Sequence, residues 1–222
     1  MQPPFSCVPP TFRQIEKAIA PARLSRYIGT VDGDKNLALR LYIWNIRLCE
    51  ALYLPTQFCE VSLRNAIHNA VSGKHGQNWY ERGSFRCTLP RRLADELQAV
   101  INSEKAVYGA HMTVNHIISG LTFGFWLHLL TKTYEGVFWP DYFSCSFPGK
   151  PAHIGRQAVY DMADRFRVHR NRIAHHKPVF DQSPNSEYAN MLQLISWICP
   201  ETRWLVRSLA TVNQVINARP KV

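Results

Sequence analysis

Apolar positions recur along most of this chain at steps of three and four, the spacing that lines one face of an α-helix. The pattern is strongest from Leu37 to Val71, where Leu37, Leu41, Trp44, Leu48 and Leu52 stay in register. Pro55 interrupts it: without an amide donor, and crowding the residue before it, it predicts either a kink or the start of a second helix. Upstream, Phe12 to Ile28 carries Ile15, Ala18, Ile19 and Ala22 at helical spacing, and "GTVDGDKN" at 29 to 36 reads as a loop ending in an N-cap.

Downstream, "PRRLADELQAVINSEKAVYG" predicts an amphipathic helix with Leu93, Leu97, Val100, Ile101 and Ala106 on one side and a proline near its start. Asn115 to Tyr134 predicts a more apolar helix, Gln157 to Ala174 another, and Ser186 to Asn217 one or two more around Pro200. Residues 73 to 90 read as a long polar connection, and the aromatic, proline-rich 138 to 155 as a loop packed against the helices. No sustained alternation marks a strand, so the expected class is an all-α helical bundle. One domain over 1–222 is expected, with an N-terminal helix over 11–35 and helices over 36–72 and 156–176 carrying the polar residues. Inserted helices and the aromatic loop fill 73–155, and C-terminal helices fill 186–218.

With 222 residues, 46% of them hydrophobic, the chain can bury one substantial core. Lys and Arg number 26 against 16 acids, a formal charge of +10 that suits a polyanionic partner; the charges are scattered, which argues against a disordered basic tail. Six cysteines without a CxxC pair read as free buried thiols of a reducing cytosol. The start "MQPPFSCVPPTF" lacks the features of a signal peptide. The longest apolar stretch, Ile117 to Leu130, is broken by Ser119, Gly120, Gly124 and His128, so a cytoplasmic protein with no membrane span is expected.

Two polar seams interrupt the apolar faces. In the helix ending at residue 174, Val159, Met162, Ala163, Phe166 and Ile173 form the apolar stripe, and Arg170 shares its register, four residues after Phe166. An arginine is therefore steered inward. Asn171 and His175, four apart, share the adjoining face. Pro178 turns the chain out of helix just beyond, placing His175 and His176 at a C-terminal turn. The second seam, "CEVSLRNAIHNAV", repeats Glu60, Arg64 and His68 at steps of four beside Phe58, Val61, Leu63, Ile67 and Val71. Two such lines on antiparallel helices could face each other across one polar pocket.

For "RNRIAHHKP", residues 170 to 178, three readings stand. Adjacent histidines diverge and no third ligand sits at a usual spacing, not even with His111 and His116, so a metal site is not expected and no cofactor is implied. A solvated basic helix end is favourable anyway, but the apolar register of Arg170 speaks against it. Phosphate chemistry remains, with Arg supplying a fork that matches phosphate oxygens and His titrating near neutrality.

Here the chain resembles a known family. "RNRIAHH" fits the Rx4-6H signature, in its R-N-x-x-x-H form, of HEPN domains, helical bundles that include many RNA-cleaving toxins and antiviral nucleases. More narrowly it is similar to the Abi-like (AbiD/AbiF) abortive-infection proteins. "LRLYIWNIRLCEALYLP", "CEVSLRNAIHNAV", "LTFGFWLHLLTKTYEGVFWP" and "RNRIAHHKPVF" follow in the family's order; Lys177 departs from it, standing where the family's form has Glu.

The resemblance implies a HEPN-type bundle with additional terminal helices and a metal-independent endoribonuclease of a phage-defence or toxin–antitoxin system. It implies His175 as general acid/base, Arg170 as the phosphate clamp and Asn171 as an orienting group. Glu60, Arg64 and Asn65 would support them; His68, Arg172 and His176 are candidate RNA contacts. It further implies a homodimer with a composite site, RNA as substrate, and silencing by an antitoxin or a small regulatory RNA. Trp79, Tyr80 and the aromatics at 138 to 147 are candidate stacking groups, although the loop aromatics read more readily as core plugs. The alternative is a HEPN module that holds a structured RNA without cutting it.

Overall fold

The computed structural model describes residues 7 to 221, and among these every regular element is helical. Twelve α-helices follow one another: α1 (Pro9–Ile19), α2 (Pro21–Thr30), α3 (Lys35–His75), α4 (Gly83–Arg86), α5 (Arg91–Tyr108) and α6 (Val114–Gly120). Then come α7 (Phe123–His128), α8 (Trp139–Ser146), α9 (Arg156–Ala174), α10 (Pro184–Ile198), α11 (Pro200–Leu209) and α12 (Val212–Asn217). The all-α class expected from the periodicity is the class observed. None of the described helices is long and apolar enough to cross a membrane.

The fold is organised around α3. Asp34 caps it, its side chain accepting from the Leu37 amide at 2.9 Å, and the helix then runs 41 residues, about 60 Å at the usual rise. Pro55 lies inside this one helix and does not start a second. The lost amide bond and ring clash cost about 3 kcal/mol in a helix interior, but Pro55 is itself buried, as are Leu52, Thr56 and Cys59 around it. Burial of the proline and of these neighbours keeps the chain helical through a local preference to break. Against this rod pack α2, α6, α7, α8, α10, α11 and α12, so one apolar core runs from Tyr27 to Val212.

Four boundaries differ from those the pattern predicts. The N-terminal helix expected over 11–35 is two helices, because Pro21 forces a break at Ala20, which adopts φ 69°. The helix expected over Asn115 to Tyr134 is split into α6 and α7 at Gly120, Leu121 and Thr122, with the Thr122 hydroxyl capping α7 at the Phe125 amide. The aromatic segment read as a loop forms α8, and its Phe138, Trp139 and Phe147 are buried plugs. Close approach explains one glycine here: a Cβ on Gly73 would run into the Tyr142 ring of α8, whose hydroxyl donates to the Gly73 carbonyl at 2.7 Å. Finally, three helices rather than one or two fill the C-terminal segment.

The six cysteines are all free, but only Cys59 is fully buried, while Cys87 and Cys145 are exposed, so the expectation of six buried thiols is corrected. Burial holds the Cys49 thiol up at about 11.

Candidate functional site

α3 and α9 each pack on α10, and a side chain of α9 bridges to α3. On α9 the inward stripe is Val159, Ala163, Phe166 and then His169, which is 3% exposed; Arg170, the next residue, sits half-buried at the stripe's edge. The register thus turns Arg170 inward, but the deepest polar residue of the helix is His169, which the periodicity alone does not single out. Its Nε2 has no hydrogen-bond partner. Burial pushes its pKa down, opposed by Glu187 and assisted by Arg172 and Arg165.

Arg170 reaches across to α3. Its Nε donates to Glu60 Oε2 at 2.8 Å and its Nη2 to Glu60 Oε1 at 3.4 Å, a two-pronged pairing between residues 110 apart in sequence. Its Nη1 donates to Asn171 Oδ1 at 3.3 Å. The forked geometry matches a guanidinium to a carboxylate better than any lysine could. The two polar seams therefore meet through Arg170, Asn171 and Glu60.

Around this pair lies a groove of about 290 Å³. Its α3 wall presents Tyr53, Thr56, Gln57, Glu60, Val61 and Arg64, positions three and four apart on one face of the helix. Its α9 wall presents Arg170, Ile173 and Ala174. Thr56 marks the floor, donating to the Met191 sulfur of α10 at 3.8 Å. Arg64 Nη1 donates to the Ile118 carbonyl of α6 at 3.4 Å, and Arg64 Nε is buried with no partner. Asn65 is exposed, on a different face from Glu60 and Arg64.

His175 caps α9 and is exposed, its amide bonded to the Asn171 carbonyl at 3.0 Å; its side chain makes no hydrogen bond within the described chain. The turn that carries it is fixed from three sides. Arg172 Nε and Nη2 donate to the Pro178 carbonyl at 3.1 and 2.6 Å. Arg23 of α2 donates to the His176 carbonyl at 2.9 Å, and Arg26 pairs with Asp181. Buried Asn45 of α3 accepts the amides of Val179 and Phe180 at 2.9 and 3.1 Å. His176 occupies the left-handed region at φ 54° and is exposed.

Among the three candidate RNA contacts, then, only His176 has its side chain turned to solvent. Arg172 is engaged on the main chain of its own turn. His68 is partly buried: the Trp79 indole donates to its Nδ1 at 3.0 Å, Ser72 Oγ lies 3.3 Å away, and burial lowers its pKa. Trp79 and Tyr80 are themselves buried, at 0% and 6% exposure, so neither stands as a stacking platform. His116 serves α6, accepting the Thr113 amide at 3.0 Å. Among the described residues no group of three or more His, Cys, Asp or Glu side chains is gathered to hold a metal ion.

No protein-family model, curated protein or solved structure matches the chain. Its chemistry is read from the groove and from the histidine at its end.

Proposed function

We propose that this protein is a metal-independent endoribonuclease with a HEPN-type site, acting in phage defence or as the toxin of a toxin–antitoxin pair. The observation that carries the reading is the two-pronged Arg170–Glu60 contact, braced by Asn171, in a groove whose wall ends at Ala174, one residue before the exposed His175. The formal charge of +10 supports an RNA partner.

The reaction suited to these groups starts with the ribose 2'-hydroxyl. A neutral imidazole takes its proton while the 2'-oxygen forms a bond to the neighbouring phosphorus. The bond from phosphorus to the 5'-oxygen breaks, and an imidazolium protonates the leaving oxygen. The products are a 2',3'-cyclic phosphate and a 5'-hydroxyl. Guanidinium groups stabilise the extra charge on the phosphorane, a contribution that grows in a partly desolvated groove. His175 serves one proton transfer, and general acid–base help of this kind is worth about 10² to 10⁴ in rate. The second transfer falls to His175 of a second copy, so the working form is a homodimer with a composite site. Silencing by an antitoxin or a small RNA fits an enzyme of this type.

The test is direct. Purified protein incubated with several RNAs in EDTA should cleave them, and His175→Ala with unchanged helicity should not; equal behaviour of the two proteins sinks the reading. Light scattering should give twice the chain mass. A second reading has one observation in its favour: within the described chain no hydrogen bond orients the His175 side chain, which suits a module that holds RNA without cutting it. A discrete RNA that co-purifies with intact ends, unchanged by His175→Ala, would establish that version instead.

A further inference from the structure

The groove between α3 and α9 holds more positive charge than the Glu60–Arg170 pair balances. Arg64 enters the same groove one helical turn beyond Glu60, giving two guanidinium groups against one carboxylate. Arg170 is occupied on all three of its nitrogens, by Glu60 and Asn171. Arg64 takes part in none of the ion pairs formed among the described residues. Its one hydrogen bond, to the Ile118 carbonyl, is long at 3.4 Å, and its Nε is buried without an acceptor. A guanidinium carries five N–H donors and keeps its charge at any ordinary pH, so Arg64 brings to the groove a cation with no carboxylate of the described chain paired to it, a charge suited to an anion.

The other end of the groove has a different character. Tyr53 is 65% exposed, an unusual place for a large ring on the most heavily packed helix of the fold, and Gln57 follows it one turn on. Eleven residues separate Tyr53 from Arg64, about 16 Å along a helix axis. Adjacent nucleotides of a stacked strand rise about 3.4 Å, so this span matches several nucleotides of one strand.

We propose that this groove is the subsite for single-stranded RNA, in which Arg64 receives a backbone phosphate and Tyr53 stacks a base several nucleotides away. The assignment rests on the reading of the protein as one that acts on RNA, and it changes the division of labour within that reading. Arg170 becomes a fixed part of the wall, locked by Glu60, and Arg64 becomes the cation that grips. A strand seated this way leaves the groove past Ala174 and reaches His175.

The experiment is a fluorescence-anisotropy titration of the full chain with a labelled ten-nucleotide 2'-O-methyl oligoribonucleotide, which binds but has no 2'-hydroxyl to react. Arg64→Gln should weaken binding about tenfold and reduce the slope of log affinity against log salt by about 0.7, the value for one lost contact to a single strand. Arg64→Lys should keep the salt slope while losing the fork's affinity. Tyr53→Leu should weaken binding by about 5- to 100-fold, the range for one stacked base, without moving the slope, and Tyr53→Phe should restore it. Arg47→Gln, on α3 outside the groove, is the control. Wild-type affinity and slope in a helical Arg64→Gln protein would overturn the assignment; if that variant loses its helical signal, Arg64→Lys and Tyr53→Leu decide by the same criteria. Failure of the wild type itself to bind the oligonucleotide overturns the reading of the protein, whereas RNA cleavage by the wild type with unchanged binding in the variants overturns the groove alone.

Discussion

Two stretches of this chain begin with the same letters and end in different surroundings. In α3, Arg64-Asn65 is followed by His68; at the end of α9, Arg170-Asn171 is followed by His175. In the first the histidine falls one turn on from the arginine within a continuous helix, so it is carried into the interior, where Trp79 donates to it. In the second the spacing is one residue longer and the helix stops, so His175 sits at the C-terminal cap position and is exposed. The arginines are inverted in the same comparison: Arg170 is tied to a carboxylate and Arg64 is not. Chemistry at a histidine needs access, and access here follows from where the helix ends rather than from which residues it contains.

The comparison is broken most severely at the exposed histidine. His175→Ala should lower the rate of RNA cleavage by about 10² to 10⁴ and leave thermal unfolding unchanged, read by single-turnover cleavage and by circular dichroism. An equally large loss in His68→Phe with native stability would erase the distinction between the two seams.

Next in size is the contact that joins them. Glu60→Ala leaves Arg170, 34% exposed at the side chain, without its carboxylate and should cost about 2 kcal/mol, less than for a fully buried pair because water reaches it. The check is a urea midpoint, with Glu60→Ala and Arg170→Ala combined in a double-mutant cycle; additivity of the two would mean that the pair contributes nothing.

His68→Phe is smaller and purely structural. It removes the acceptor of a buried indole and should destabilise by about 1 to 2 kcal/mol, while cleavage per folded molecule stays the same.

The smallest effect is on pH dependence. Burial lowers the folded-state pKa of both His68 and His169 below the ordinary 6.5, with Glu187 opposing and Arg172 and Arg165 reinforcing the shift at His169. The unfolded chain then binds more protons in the interval, so stability is fully present above about pH 6.5 and is lost as pH falls from there through the depressed values. Urea midpoints should decline between pH 7.5 and 5, and less steeply in His169→Gln. A parallel decline in that variant would place the proton elsewhere.

Much of the framework is legible in the periodicity, because α3, α5 and α9 bury regular apolar stripes and a stripe is a local property. The inward set of Arg170 is legible for the same reason. Pro55 misleads because its preference for a break is local, whereas what keeps α3 continuous is packing from seven other helices. α8 escapes notice because Pro140, Pro148 and Pro151 read as loop punctuation, although Phe138, Trp139, Tyr142, Phe143 and Phe147 fall at helical spacing on its core side. At the site, the burial of His169, the clamp of Arg172 on Pro178 and the grip of Asn45 on Val179 and Phe180 all depend on contacts made after the chain has folded back, and no spacing announces them. The solvent-facing ring of Tyr53 is unannounced as well, since the same residue in the same helical pattern could equally face the core.

The long reach of these contacts bears on how the protein is made. Glu60 waits for a partner 110 residues later, and the His176 carbonyl is held by an arginine 153 residues earlier. At ordinary translation speeds the first of these gaps takes about 5 to 20 s to synthesise. Throughout that time the emerging rod carries Tyr53, Glu60 and Arg64 with no opposite wall, so the groove is complete only once α9 has left the exit tunnel.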